Sequence, residues 1–281
     1  MKSDLLIVTN GYKGTWSAIE YGAWLAESTR TKITLLGVAE ELNPAAIDDH
    51  HPLEDIFARA FDVFNAKGLT YSLEVRNGES ERVVPEFANK GDYITVVSPL
   101  GRPKFKRWLT GRSIRSLLEQ IQGPIFYVPE VRFPLKKILI SVGGLGYEDS
   151  AENIAVQVAL ASQADVTILY VVPPTDFDYP TTRGVQGHLN DLADSDTLPG
   201  RSLRKALEVA QNAGLNAKAT ARQGNVVEEI LAEIGEGKYD LVCMGSAYSG
   251  HTLRQYYTPN ITAEIAESVN CPILTARHKS V

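Results

Sequence analysis

Cysteine is nearly absent from this sequence, which has two in 281 residues, Cys243 and Cys271. Neither belongs to a CxxC pair or to a Cys/His spacing, so the sequence predicts no disulfide framework and no zinc site. We expect both thiols to be small buried apolar groups in a reducing compartment.

Long apolar runs are also missing. No stretch approaches the roughly 20 apolar residues that a membrane helix requires. The first apolar run, Leu5–Val8, is too short for the core of a signal peptide. We therefore expect a soluble cytoplasmic protein with no membrane partner.

An excess of positive charge is the third absence. Asp and Glu outnumber Lys and Arg by 34 to 28, for a net charge of −6. A general nucleic-acid binder needs the opposite balance, so nucleic acid is not an expected partner. The sequence has no Walker A loop, GxSxG elbow or zinc spacing. The sequence therefore does not predict an enzyme. Slow ATPase activity stays open, because catalytic residues that are brought together only by the fold leave no motif in the sequence.

What the sequence does contain is an alternation of β-rich runs and helical patterns. In the first half, strands are predicted at Leu5–Thr9, Ile33–Ala39, Thr70–Val75, Tyr93–Ser98 and Ile125–Val128. Helices are predicted between them at Thr15–Ser28, Leu53–Ala66, Glu79–Asn89 and Gly111–Ile121. The third helix contains Pro85, which removes a helix hydrogen bond. Strands that are apolar throughout and alternate with helices indicate a parallel sheet covered on both faces.

The second half repeats the first. Asp92–Ser98 falls on Asp240–Ser246 at an offset of 148 positions, whereas Leu5–Val8 falls on Ile138–Ser141 at an offset of 133. A longer loop, predicted at Pro173–Gly200, absorbs most of the difference. The sequence thus predicts two tandem domains, 1–130 and 135–281, joined by a short proline-rich linker that favours packing of one domain on the other.

Ligands of an open parallel sheet sit beyond the carboxyl ends of its strands. Behind the first strands lie Thr9–Tyr12 and Val142–Leu145. Behind each fourth strand come small residues, about a dozen further residues and a helix start, whose free N–H groups suit a phosphate.

Met244-Gly245-Ser246, a loop with glycine, a helix and then Cys271-Pro272-Ile273-Leu274 resemble the signature of the universal stress protein family. The likeness extends over both halves. It implies two doubly wound, mostly parallel five-stranded domains of the adenine nucleotide alpha-hydrolase-like type, paired through their last strands into an internal pseudo-dimer. It also implies a regulatory, stress-response role and a site for ATP or another adenine nucleotide, with Mg²⁺ as counter-ion.

Carried onto the first domain, the resemblance predicts a nucleotide site formed by Asn10, Val38, Gly101, Gly111, Arg112 and Ser113. In the second domain, the corresponding site is predicted to be degenerate and comprises Gly143, Val171, Gly245, Ser246, Gly250 and Asn260. Both depart from the family pattern. Asn10 and Gly143 replace the expected Asp, Val97 replaces a leading Gly, and Pro259 has no N–H to offer a phosphate.

The loop of the first domain also carries six cations in fourteen residues, at Arg102, Lys104, Lys106, Arg107, Arg112 and Arg115. They could hold a polyphosphate. Alternatively, they form a solvated loop or a face that pairs with acids of the other domain. Because both motifs are incomplete, a second hypothesis is a nucleotide-independent interaction protein that presents its loops to a protein partner, with a further homodimer also open.

Overall fold

Strands and helices alternate along both halves of the chain in the computed structural model, which describes residues 3–40, 52–100, 110–143, 149–173, 189, 192–246 and 260–277. Two compact units result, 1–131 and 132–281.

The first unit has five strands and four helices in its described part. The strands are β1 (Asp4–Thr9), β2 (Ile33–Ala39), β3 (Tyr71–Asn77), β4 (Tyr93–Val97) and β5 (Ile125–Tyr127). The helices are α1 (Trp16–Thr29), α2 (Pro52–Ala66), α3 (Ser80–Ala88) and α4 (Thr110–Gln120). All strand pairs within this unit are parallel, in the order β3-β2-β1-β4-β5.

The second unit has the same order of elements. Its strands are β6 (Lys137–Val142), β7 (Asp165–Val172), β8 (Ala217–Gln223), β9 (Leu241–Ser246) and β10 (Ile273–Arg277). Its helices are α5 (Asp149–Ser162), α6 (Leu198–Asn212), α7 (Val226–Gly237) and α8 (Ile261–Ser268). The strand order β8-β7-β6-β9-β10 repeats that of the first unit, again with parallel pairs. The predicted doubly wound α/β fold is confirmed.

Burial explains why these segments are strands. Leu5, Leu6, Ile7 and Val8 of β1 are fully buried because helices cover both faces of the central strand. Tyr21 of α1 packs on Phe126 of β5, with ring centroids 5.7 Å apart. In the second unit Cys243 and Cys271 are fully buried, and burial raises the pKa of Cys271 to about 12. The expected burial of both thiols is confirmed.

One predicted boundary is wrong, and one predicted helix continues through its proline. The loop predicted at Pro173–Gly200 ends too late, because α6 already begins at Leu198. Thr197 caps this helix by accepting the Gly200 N–H at 3.2 Å, and Pro199 occupies its first turn, where its missing N–H costs nothing. Conversely, α3 continues through Pro85 and loses one internal hydrogen bond, while Pro85 itself is buried in the helix's packed face.

Candidate functional site

The carboxyl ends of β1 and β4 define a topological switch point in the first unit. The chain runs from β1 to β2 on one side, whereas β4 pairs with β1 on the other side. Ile7 of β1 lies opposite Val96 of β4, and the same register continued by two residues would place Thr9 opposite Ser98, which directly follows β4. Ligands of doubly wound sheets bind in the crevice at this position.

A chain of hydroxyl groups fixes the loop that follows β1. The Thr15 hydroxyl donates to the Tyr12 carbonyl at 2.7 Å, which uses its single proton. The Thr9 hydroxyl must then donate to Thr15 Oγ1, at 2.6 Å, and it accepts the Gly11 N–H at 3.1 Å. Thr9 and Thr15 are both fully buried, so this loop is held in one conformation at the edge of the sheet.

Gly11 and Gly14 allow the loop to contact its neighbours closely. Gly11 has φ +84°, and a Cβ there would lie 2.9 Å from backbone atoms of Pro52 and Leu53 at the start of α2. A Cβ on Gly14 would lie 3.2 Å from the carbonyl of Pro99, just after β4. The segments that follow β1 and β4 therefore meet, as a shared site requires.

Asn10 and Val38, the two nucleoside-facing residues implied by the resemblance, lie at the ends of β1 and β2. Asn10 is 4% exposed, and Val38 is fully buried. The structure thus brings both residues to the same edge as Ser98, beneath the surface of the unit.

Ser98 is the feature that the sequence analysis did not single out. It is 1% exposed, and its hydroxyl has no hydrogen-bond partner in the described chain. A buried hydroxyl without a partner costs folding free energy, about 1–3 kcal/mol, and native proteins rarely keep one without a reason. A serine directly after a strand was visible in the sequence, but its lack of a partner was not.

The helix start predicted behind β4 is α4, which begins at Thr110. Gly111, Arg112 and Ser113 therefore belong to its first turn, where backbone N–H groups have no partner inside the helix. The structure describes this backbone but not these side chains. Gly101 and the cations from Arg102 to Arg107 lie outside the described residues.

Glu40, directly after β2, is a second edge residue that sequence reasoning missed. The backbone N–H of Ser80 donates to its Oε1 at 3.2 Å, and the Ser80 hydroxyl donates to the same oxygen. Glu40 thereby caps α3, where a carboxylate also favours the helix dipole. Burial, followed by the negative charge of Glu40, raises the pKa of Tyr12 above its ordinary value.

The equivalent edge of the second unit differs at most of these positions. Gly143 is exposed, and a Cβ placed on it would meet no atom within 4 Å. Val142 takes the place of Thr9, so no hydroxyl is available there to fix the loop. Val171 is 7% exposed, Gly245 is half-buried, and Ser246 ends β9. Gly250 lies outside the described residues.

Asn260 is the N-cap of α8. Its carboxamide oxygen accepts the Ala263 N–H at 3.1 Å. This N–H is one of the groups that a helix start would otherwise offer to an anion, so the second unit satisfies it internally.

The described residues form no candidate metal site. No three His, Cys, Asp or Glu side chains among them lie close enough together to hold an ion. None of the described helices is long and apolar enough to cross a membrane.

Fold and edge together define the class: a two-unit α/β protein with a topological switch point where β1 pairs with β4 and another where β6 pairs with β9. The sequence profile of the universal stress protein family matches residues 134–277, and the chain belongs to that family. The resemblance seen in Met244-Gly245-Ser246 and Cys271-Pro272 is thus confirmed.

Solved structures agree on the fold over the whole chain. A universal stress protein from Archaeoglobus fulgidus has a TM-score of 0.69 at 15% identity, covering 98% of this chain and 96% of its own. A structure from Pseudomonas aeruginosa assigned to the same family has a TM-score of 0.66 at 14% identity, covering 97% and 92%. A search of curated protein sequences gives no match. At these identities the structural likeness concerns the fold alone.

Proposed function

We propose that this chain is a stress-response binding protein that holds ATP or a related adenine nucleotide in its first unit, without turning it over. Mg²⁺ would accompany the nucleotide as a counter-ion held by its phosphates. Membership of the family supports the regulatory role. The choice of the first unit depends on the residues of its own carboxyl edge.

The observation that carries the proposal is the buried Ser98 hydroxyl. It has no partner in the described chain. Ser98 directly follows β4, at the switch point where β4 pairs with β1. A bound ligand with an acceptor atom would satisfy it. Such an unsatisfied group is typical of sites that sacrifice stability for function.

The start of α4 supports the phosphate end of the same ligand. This eleven-residue helix has Gly111 in its first turn, where the lack of a side chain lets an anion approach the backbone N–H groups closely. In the second unit the corresponding N–H of Ala263 is already engaged by Asn260. We therefore propose one nucleotide per chain.

Two serines at equivalent positions provide the test, Ser98 and Ser246, which are 148 positions apart. Calorimetric titration of the full chain with ATP should give a dissociation constant that rises about fivefold in Ser98→Ala, since one hydrogen bond is worth about 1 kcal/mol. Ser246→Ala should leave it unchanged. Gly111→Val should abolish binding by placing a side chain against the phosphate.

Thr95→Val is the matched control for folding. Thr95 also has a buried hydroxyl without a partner in the described chain, in the middle of β4. Both Ser98→Ala and Thr95→Val should raise the stability of the ligand-free protein by about 1 kcal/mol, because each removes an unsatisfied group. Only Ser98→Ala should weaken the binding of ATP. If both variants or neither variant weakens ATP binding, Ser98 is not part of the site.

The interaction-protein hypothesis is the second candidate, and one observation favours it. The outer strand of the first sheet exposes Leu73 and Val75 to solvent. Two results would together favour this candidate over nucleotide binding. One is recovery of a stoichiometric protein partner that is lost when this strand is changed, and the other is no heat of binding in a calorimetric titration with ATP.

A further inference from the structure

The outer edge of β3 carries backbone groups that point away from the sheet. Ile33 donates to the Thr70 carbonyl, and Gly78 donates to the Ala39 carbonyl, so the ladder between β2 and β3 alternates from one end to the other. In a parallel ladder the inward residues are then Ser72, Glu74 and Arg76. The N–H and C=O groups of Leu73 and Val75 therefore face outward, where the described part of this unit has no further strand.

The side chains on this edge are also unusual. Leu73 is 41% and Val75 is 45% exposed, and both lie on the face of the sheet where Tyr71 stacks on Phe61 of α2. The matching edge strand β8 has Ala219 and Ala221 at these positions. Exposed β-branched or large apolar residues on an edge strand favour pairing with another strand, whereas alanines do not.

The Arg76 side chain occupies groups of the edge strand that a further strand could bind. Its guanidinium donates to the Val75 carbonyl at 2.9 Å and pairs with the Glu74 carboxylate at 2.8 Å. Both side chains are more than a third exposed, so this pair contributes little stability and is easily exchanged. An incoming strand with an N–H opposite Val75 and a carboxylate opposite Arg76 would replace both contacts.

We propose that this occupant is β3 of a second copy of the chain, paired antiparallel with Val75 opposite Val75 on the two-fold axis. In this register the outward groups of Val75 bond to each other, and Leu73 lies opposite Asn77. Glu74 then lies opposite Arg76 twice, once on each side of the axis, on the face of the sheet where Arg76 covers the Phe87 ring.

The charges select this register over its neighbour. A shift to either neighbouring register that keeps the outward groups paired would place Glu74 opposite Glu74 or Arg76 opposite Arg76, and like charges directly opposite each other are destabilising. The sequence Glu74-Val75-Arg76 is therefore self-complementary around Val75 and around no other outward residue of β3. The apolar pair on the axis and the two ion pairs together identify a second copy as the partner.

Proline at the axis tests the backbone pairing. Sedimentation of the full chain at micromolar concentration should show a dimer, and Val75→Pro should raise its dissociation constant by roughly tenfold or more, because the outward N–H is lost. The internal ladder does not use this N–H. Ala221→Pro, at the equivalent outward position of β8, should leave the dimer intact.

Charge exchange tests the register and does not depend on tolerance of proline. Glu74→Arg and Arg76→Glu should each be monomeric, because like charges then face each other. An equimolar mixture of the two should form a heterodimer in which both cross-strand pairs are restored, and the double exchange should restore the homodimer. A wild-type chain that stays monomeric, or a dimer that survives Val75→Pro and both single exchanges, would overturn the proposal.

Discussion

The carboxyl edges of the two units have the same topology and different chemistry. In the first, Thr9 and Thr15 fix the loop after β1, and Ser98 keeps a buried hydroxyl without a partner in the described chain. In the second, Val142 and the exposed Gly143 replace Thr9 and Asn10, and Asn260 satisfies the helix start internally. The comparison teaches that duplication preserved the sheet while the groups able to meet a ligand diverged, since fold alone does not fix function.

The two units can be followed separately in the intact chain. All three tryptophans, Trp16, Trp24 and Trp108, belong to the first unit, and both cysteines belong to the second. Tryptophan fluorescence therefore reports unfolding of the first unit. Because burial raises the pKa of Cys243 and Cys271, thiol labelling reports opening of the second.

The largest expected effect on the free energy of unfolding comes from comparing two arginines at equivalent positions, Arg222 of β8 and Arg76 of β3. Arg222 of β8 donates to Glu233 at 2.7 Å and also pairs with Glu229 and Glu236 of α7. Arg222→Gln should cost the second unit about 2–3 kcal/mol, because it leaves a largely buried Glu233 without its cation. The matched variant Arg76→Gln should cost the first unit less than about 1 kcal/mol, since its pair is exposed.

Urea unfolding followed by thiol labelling and by fluorescence measures these two losses in the same experiment. Equal losses would mean that the arginine cluster of the second unit adds nothing beyond an exposed ion pair, and that the two edges are energetically alike.

An intermediate effect is expected from exchanging the residues that end β1 and β6. Thr9→Val should destabilise the first unit by about 1–2 kcal/mol, because Gly11 loses its acceptor and Thr15 loses a donor. The reverse change, Val142→Thr, should destabilise the second unit by burying a hydroxyl, since the position that corresponds to Thr15 is occupied by Glu148. A fluorescence-monitored transition unchanged by Thr9→Val would show that the hydroxyl chain does not hold the loop.

The smallest effect is expected at Asn260. Asn260→Ala should cost the second unit about 1 kcal/mol through loss of the α8 cap, while Asn260→Asp should cost less because a carboxylate also caps. Thiol labelling as a function of urea measures both. Neither variant should add a nucleotide. A second bound nucleotide in Asn260→Ala would mean that the cap alone closes this edge.

Much of the fold could be predicted because its signals are local. The fully apolar run of β1 and the pattern of Ile56, Ala60 and Phe64 in α2 each specify an element without reference to distant residues. The start of α6 was missed, although Thr197 and Pro199 are ordinary start signals, because the surrounding Asp, Thr and Gly indicated a loop.

The site was less accessible to prediction because its chemistry depends on contacts across the fold. The Glu40–Ser80 cap joins residues forty positions apart. The lack of a partner for the buried Ser98 hydroxyl depends on which groups the fold brings around it. Neither leaves a periodicity or a motif in the sequence. The pairing of the two units through their last strands and the nucleotide assignment of Asn10 and Val38 stay predictions.

The most direct test of the asymmetry between the units is the number of adenine nucleotides bound by each chain, measured by native mass spectrometry with ATP and Mg²⁺. We predict one per chain in the wild type, one in Ser246→Ala and none in Gly111→Val. Two nucleotides per chain, or one that still binds to Gly111→Val, would contradict a nucleotide site restricted to the carboxyl edge of the first unit. No bound nucleotide in the wild type would contradict nucleotide binding itself.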